Sequence, residues 1–211
     1  RLPNLQQLKL DADADPVETQ NLLKTLSTAN QKFTAISLKL YVLTKKRAFL
    51  VCDIFRNFAA TLLSFEVDFV YEQYASSFFE TLGEHGSRLR ILKLKSPKVE
   101  LISELVEALT KMHSLQELWI DCSSLLQFAP TCQRLSKLHF DVCNASESNQ
   151  LEFFSRLAAG RLRSLSLDGT VAFESIIESK LMDAGWLTEL KAHGEPVRND
   201  VLSRAVSRNR K

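Results

Sequence analysis

The sequence predicts an α/β solenoid, in which parallel strands stack side by side and each is joined to the next by a helical crossover. Three observations carry that prediction. An apolar triplet of the form L-x-x-L-x-L recurs eight times along the 211 residues. The intervals between successive triplets are nearly constant. Most of the intervening segments have the period of an amphipathic helix.

The triplets are Leu5/Leu8/Leu10, Ala35/Leu38/Leu40, Leu62/Phe65/Val67, Leu89/Leu92/Leu94, Leu115/Leu118/Ile120, Leu135/Leu138/Phe140, Leu162/Leu165/Leu167 and Leu187/Leu190/Ala192. The intervals between their first members are 30, 27, 27, 26, 20, 27 and 25, with a mean of 26. The last two apolar positions of each triplet are two apart, so on an extended chain they face one side. The residue between them faces the other: Lys9, Lys39, Glu66, Lys93, Trp119, His139, Ser166 and Lys191. One strand cannot hide its apolar face alone, whereas a stack of such units encloses a continuous core.

Parallel neighbours need a crossover of about a dozen residues. Asp15-Pro16 introduces a helix over 17–29 with Leu22, Leu23 and Leu26 on one face. Residues 47–58 place Phe49, Leu50, Ile54, Phe55 and Phe58 at helical spacing, and residues 71–86 end at glycines suited to a C-cap. Residues 99–112 form the clearest amphipathic pattern, with Leu101, Leu105, Val106 and Leu109 inward. Residues 148–160 and 173–185 repeat the plan, each stopping at glycine. The Phe78/Phe79 and Phe153/Phe154 doublets read as core. Only fourteen residues separate Ile120 from Leu135, with Pro130 among them; a turn or short 3₁₀ segment is expected there. The array spans 1–195. It begins inside a repeat, as a fragment of a longer protein does, and 196–211 reads as a capping helix with a basic tail.

Net charge is +2 with 25% charged residues, too small to require a polyanionic partner. No apolar run reaches the length of a membrane span. Cys52, Cys122, Cys132 and Cys143 show no C-x-x-C spacing and read as buried reduced thiols, which places the chain in the cytoplasm or nucleus. The basic tail offers no interleaved aromatics for base stacking, so a nucleic-acid role is not expected. Phosphate loops, zinc-protease and nucleophile-elbow motifs do not occur in the sequence. His85, His113, His139 and His193 are scattered. The expectation is therefore a non-enzymatic protein without cofactor, metal or catalytic residues.

The positions after each strand's last core residue are Asp11, Tyr41, Asp68, Lys95, Asp121, Asp141, Asp168 and His193. The column beside it is richer in lysine. These columns read either as a solvated face of weak charge pairs or as an acidic rim for a basic partner segment. Trp119 is the most suggestive residue, since it projects between Lys93 and His139 and binding hot spots are enriched in Trp. It serves either as a contact or as packing for a neighbour. The candidate partner-binding residues are Trp119, Asp121, His139, Asp141, Lys93, Tyr41, Asp68 and Asp168.

The segments around Leu115–Ser124 and Leu135–Asn144 resemble the cysteine-containing class of leucine-rich repeats, with Cys143 at the cysteine position and Cys122 one place early. Asp13, Leu43, Val70, Pro97, Ser123 and Thr170 stand there in other units. The resemblance covers almost the whole chain and implies a horseshoe with a concave parallel sheet and convex helices. It is similar to the repeat domain of F-box proteins, where the repeats hold a substrate for a ubiquitin ligase. That implies substrate recognition on the concave face, and a Skp1-type adaptor if an F-box precedes Arg1. The alternative is a structural scaffold subunit of a stable nuclear, RNA-export or kinetochore-like complex.

Overall fold

The computed structural model describes residues 5–12, 16–40, 44–69, 75–95, 102–120, 134–141, 146–169, 171–183 and 185–193. The chain is α/β, with eight strands among those residues. Every strand pair with a described register is parallel. It divides into two compact units, Arg1–Trp119 and Ile120–Lys211.

The first unit alternates β1 (Gln7–Ala12), α1 (Pro16–Ser27), β2 (Ala35–Leu40), α2 (Lys45–Phe58), β3 (Ser64–Phe69), α3 (Ala75–His85), β4 (Ile91–Lys95), α4 (Ile102–Lys111) and β5 (Glu117–Ile120). A 3₁₀ turn, Gly86–Arg88, follows α3. The strands neighbour one another in chain order. The second unit contains β6 (Lys137–Asp141), α5 (Glu147–Ala158), β7 (Ser164–Asp168), α6 (Phe173–Glu178), a 3₁₀ turn at Leu181–Asp183, and β8 (Glu189–His193).

A repeated backbone device starts the strands. The Gln6 carbonyl accepts from both Thr34 N–H and Ala35 N–H, at 2.8 and 3.2 Å. The Thr34 carbonyl accepts in the same way from Leu63 and Ser64, that of Leu63 from Arg90 and Ile91, and that of Arg90 from Gln116 and Glu117. In the second unit Ser136 accepts from Arg163 and Ser164, and Arg163 from Thr188 and Glu189. One carbonyl thus satisfies two amides at each step, which uses both of its lone pairs. The period that the side chains display is therefore also a period of the main chain.

This ladder corrects the second triplet. Leu8 and Leu10 stand opposite Ile36 and Leu38, which stand opposite Phe65 and Val67. The repeat unit is Phe33/Ile36/Leu38, not Ala35/Leu38/Leu40, and the first two intervals become 28 and 29. A slip of two residues keeps every side chain on the same face, so alternation alone does not distinguish the two registers. Phe33 decides it: its ring is buried and meets Phe58 edge-on at 5.0 Å.

Helix side chains meet the buried residues of the strands. Phe55 of α2 and Phe78 of α3 lie against Phe65 of β3, with ring centroids 5.2 and 5.8 Å away. In the second unit Phe153 of α5 covers Phe140 of β6 at 5.5 Å. Fully burying each such ring or a leucine is worth roughly 1.5–3 kcal/mol. Thr44 caps α2 by accepting from Arg47 N–H, and Ser146 caps α5 by accepting from Asn149 N–H.

Several helix faces differ from expectation. In α1, Leu23 and Leu26 are buried but Leu22 is exposed, and Thr19 takes the inward place. In α2, Phe49 is exposed while Ala48, Val51 and Cys52 are buried beside Ile54, Phe55 and Phe58. In α4, Ala108 is buried with Leu105 and Leu109, as is Met112 just beyond its end, and Val106 is only half-buried. Adjacent residues lie about 100° apart on a helix, so one member of a pair at the edge of the buried stripe faces out, whereas the Phe78/Phe79 and Phe153/Phe154 doublets fall inside it and are buried, as expected. Leu101 lies outside the described residues.

The glycine stops differ as well. Gly83 lies inside α3, where a Cβ would sit 3.1 Å from Ala108 Cα; its smallness serves helix contact, not capping. Gly86 fits under Met112. The helix expected up to Gly185 stops at Glu178, and Lys180 follows in the left-handed region at φ 60°. Cys52 is buried with a free thiol, and Cys122, Cys132 and Cys143 lie outside the described residues. So do the short segment after Ile120 and residues 194–211 with the expected capping helix.

Candidate binding face on the sheet

The sheet face turned away from the helices carries the candidate side chains. In the first unit the register sets Lys9, Ser37, Glu66 and Lys93 in one column. The next column is Asp11, Lys39, Asp68 and Lys95. The two-residue slip thus moves Lys39 out of the lysine column and into the aspartate column, in the place expected for Tyr41. The column alternates in sign across these four strands instead of forming an acidic rim. Lys39 Nζ lies 3.7 Å from Asp11 Oδ2 with both side chains about half exposed, a pairing worth at most about 1 kcal/mol. Asp68 is half-buried on β3 between these lysines.

Trp119 stands on β5. The Arg90 carbonyl bridges to Gln116 and Glu117 as the Leu63 carbonyl does to Arg90 and Ile91, which brings Trp119 beside Lys93. Lys93 Nζ sits 4.4 Å from the indole centroid. The indole Nε1–H donates to Glu117 Oε1 at 2.7 Å. Trp119 keeps 36% of its surface exposed. The ring is therefore oriented from two sides, by a cation over its face and by a charge-assisted bond to its polar edge. The ring thus packs on neighbours and stays part-exposed at once.

The second unit holds a different arrangement. His139 stands opposite Ser166, which stands opposite Lys191. The next column is Asp141, Asp168 and His193. His139 Nε2 approaches Asp168 Oδ2 to 3.0 Å, and the histidine side chain retains only 12% exposure. The imidazole edge thus reaches diagonally across the register, from the column of Ser166 to Asp168 in the next. Asp121 and Tyr41 lie outside the described residues, as does the side chain of Asp141.

Two participants escaped the sequence reading. Glu117 and Glu189 each lie two residues before a partner on the same strand face. Glu189 pairs with Lys191 at 2.7 Å and accepts from Ser164 Oγ at 2.6 Å. The Lys191 ammonium, followed by the Ser164 hydroxyl, holds the Glu189 carboxyl below the usual carboxylate range. The signal was present as an E-x-W or E-x-K spacing, which alternation turns into neighbours.

Among the described residues no group of three or more His, Cys, Asp or Glu side chains is placed to hold a metal ion. Among the same residues no helix is long and apolar enough to cross a membrane. The arrangement offers oriented aromatic surface and paired charges. The chain matches no protein-family model, and no curated protein matches it.

Proposed function

We propose that this chain is a leucine-rich-repeat module of the cysteine-containing kind, curved as a horseshoe, which binds another protein on its sheet face inside the cell. In that reading it is the substrate-recognition part of an F-box-type ubiquitin ligase receptor. The recurring carbonyl bridge and the aligned apolar pairs support the repeat class. The observation that carries binding is Trp119, part-exposed yet oriented by Lys93 and Glu117. A pre-oriented aromatic loses little rotamer freedom on contact, so more of its burial appears as affinity.

The test uses the full-length protein with a photocrosslinking residue placed at position 119 or, as a control, at the exposed Glu18 of α1. Crosslinking of a protein from 119 but not from 18, with a Skp1-type adaptor co-recovered, supports the receptor. In binding assays with that crosslinked protein, Trp119→Ala is expected to weaken affinity about thirtyfold, as hot spots do. Equal affinity for wild type and variant overturns the sheet-face reading.

A second reading, a scaffold held in a stable complex, is favoured by apolar side chains on the helices. Phe49 is 47% exposed and Val17 64%. In that case Phe49→Asp, and not Trp119→Ala, shifts the protein to smaller species on gel filtration of cell extracts.

A further inference from the structure

We propose that the groove between α3 and α4 is a second docking site, which takes an arginine-bearing segment of a partner protein. The groove has a volume of about 380 Å³, within the range of side-chain and ligand pockets. Its floor is apolar and closely built. Phe79 and Ala108 are buried there, and the missing Cβ of Gly83 lets α4 come within contact of α3.

The walls are acidic on both sides. α3 contributes Glu80 and Glu84, one turn apart, and α4 contributes Glu104 and Glu107. Lys111 is the cation among the lining residues, and its ammonium is already engaged by Glu107 at 2.9 Å. Glu80 and Glu84 stand four apart on α3 and Glu104 and Glu107 three apart on α4, so like charges crowd the two sides of one groove; Glu84 also lies 3.6 Å from His85 Nε2, and Glu104 accepts from Ser103 Oγ. Composition does not account for this, because the chain has 27 Lys and Arg against 25 Asp and Glu.

The form of the groove selects among cations. A metal ion needs several oxygens converging on one point, and the carboxylates here stand on opposite walls over an apolar floor; no three-membered metal-binding group occurs among the described residues. The acidic walls repel nucleic acid and anionic lipid. An arginine side chain matches both parts: its stem covers the apolar floor, and its planar fork binds carboxylate oxygens in pairs.

The experiment measures fluorescence anisotropy of a fluorescein-labelled peptide of alternating arginine, alanine and leucine on the full chain. Saturable binding is expected, and Glu80→Lys with Glu104→Lys should weaken it at least about tenfold. The same charge change at Glu18 and Glu174, both exposed and remote in sequence, should leave affinity within about twofold. A peptide with lysine for arginine should bind more weakly, because a point charge cannot pair with two oxygens. Circular dichroism and melting temperature check that the variants fold. Absence of saturable binding, or equal losses from both pairs of substitutions, overturns the proposal. Trp119→Ala should not alter this binding, so failure here and failure of the sheet-face reading are separate results.

Discussion

Trp119 gains its orientation from residues that are distant and near in the chain at once: Lys93 from the preceding strand and Glu117 from its own. Lys93→Ala removes the cation over the ring. The expected cost is about 0.5–1 kcal/mol, the exposed cation–π range, with a shift in the Trp emission maximum absent from Lys39→Ala. Unchanged emission would show that the ring is held by Glu117 alone.

Cys52 is a second residue-scale case. Burial pushes its thiol above the usual range, with the Thr81 hydroxyl, Arg56 and its own backbone acting against that and Asp53 adding to it. The folded state therefore favours the neutral thiol. That stabilising contribution is complete below the ordinary thiol range and is lost as pH rises through the raised value. Urea midpoints should fall more steeply at alkaline pH for wild type than for Cys52→Ala, with equal slopes counting against it. Glu189 has the opposite sign. Its lowered carboxyl contributes above the ordinary carboxylate range and loses that contribution as pH falls. Lys191→Ala should return the titration seen by NMR toward the ordinary value.

At the scale of elements, the contact of α3 with α4 depends on one absent methyl. Gly83→Ala sets a Cβ 3.1 Å from the Ala108 backbone, so α4 must shift. The cost expected is about 1–3 kcal/mol, as for overpacking elsewhere, although alanine is the better helix former. A gain in melting temperature would mean that the helices separate freely. The pattern of 99–112 announced an amphipathic helix, and α4 occupies Ile102–Lys111. Which way it turned was less legible. Leu22, Phe49 and Val106 fall at helical spacing with buried apolar residues, yet each is partly or largely exposed. A helix buries one stripe, and where a pair of apolar residues falls at its edge the packing partner selects which of them enters it.

At the scale of the whole chain, units of one strand and one helix share the same main-chain bridge, so stability is distributed over neighbours rather than concentrated in one nucleus. Within the second unit, β7 has its apolar residues buried, whereas Leu190 and Ala192 of β8 are only part-buried. Amide exchange should accordingly be faster in β8 than in β7, where opening exposes more apolar surface. Equal protection of the two strands would argue against stepwise stability.

The recurrence of apolar pairs two residues apart determined by itself that the chain is α/β, where the strands lie to within two residues, and that all but one of the consecutive strands are joined by helical segments, because those features follow from short-range periodicity. Tertiary structure decided what periodicity leaves degenerate. It chose Phe33 over Ala35, since a two-residue slip conserves every face and only a buried ring against Phe58 breaks the tie. That choice carried Lys39 into the column of Asp11 and Asp68, so that charge alternates there over the first strands, while Asp141 and Asp168 still follow one another in the second unit. It also brought four glutamates of two helices around one groove, a juxtaposition that exists only when α3 and α4 pack.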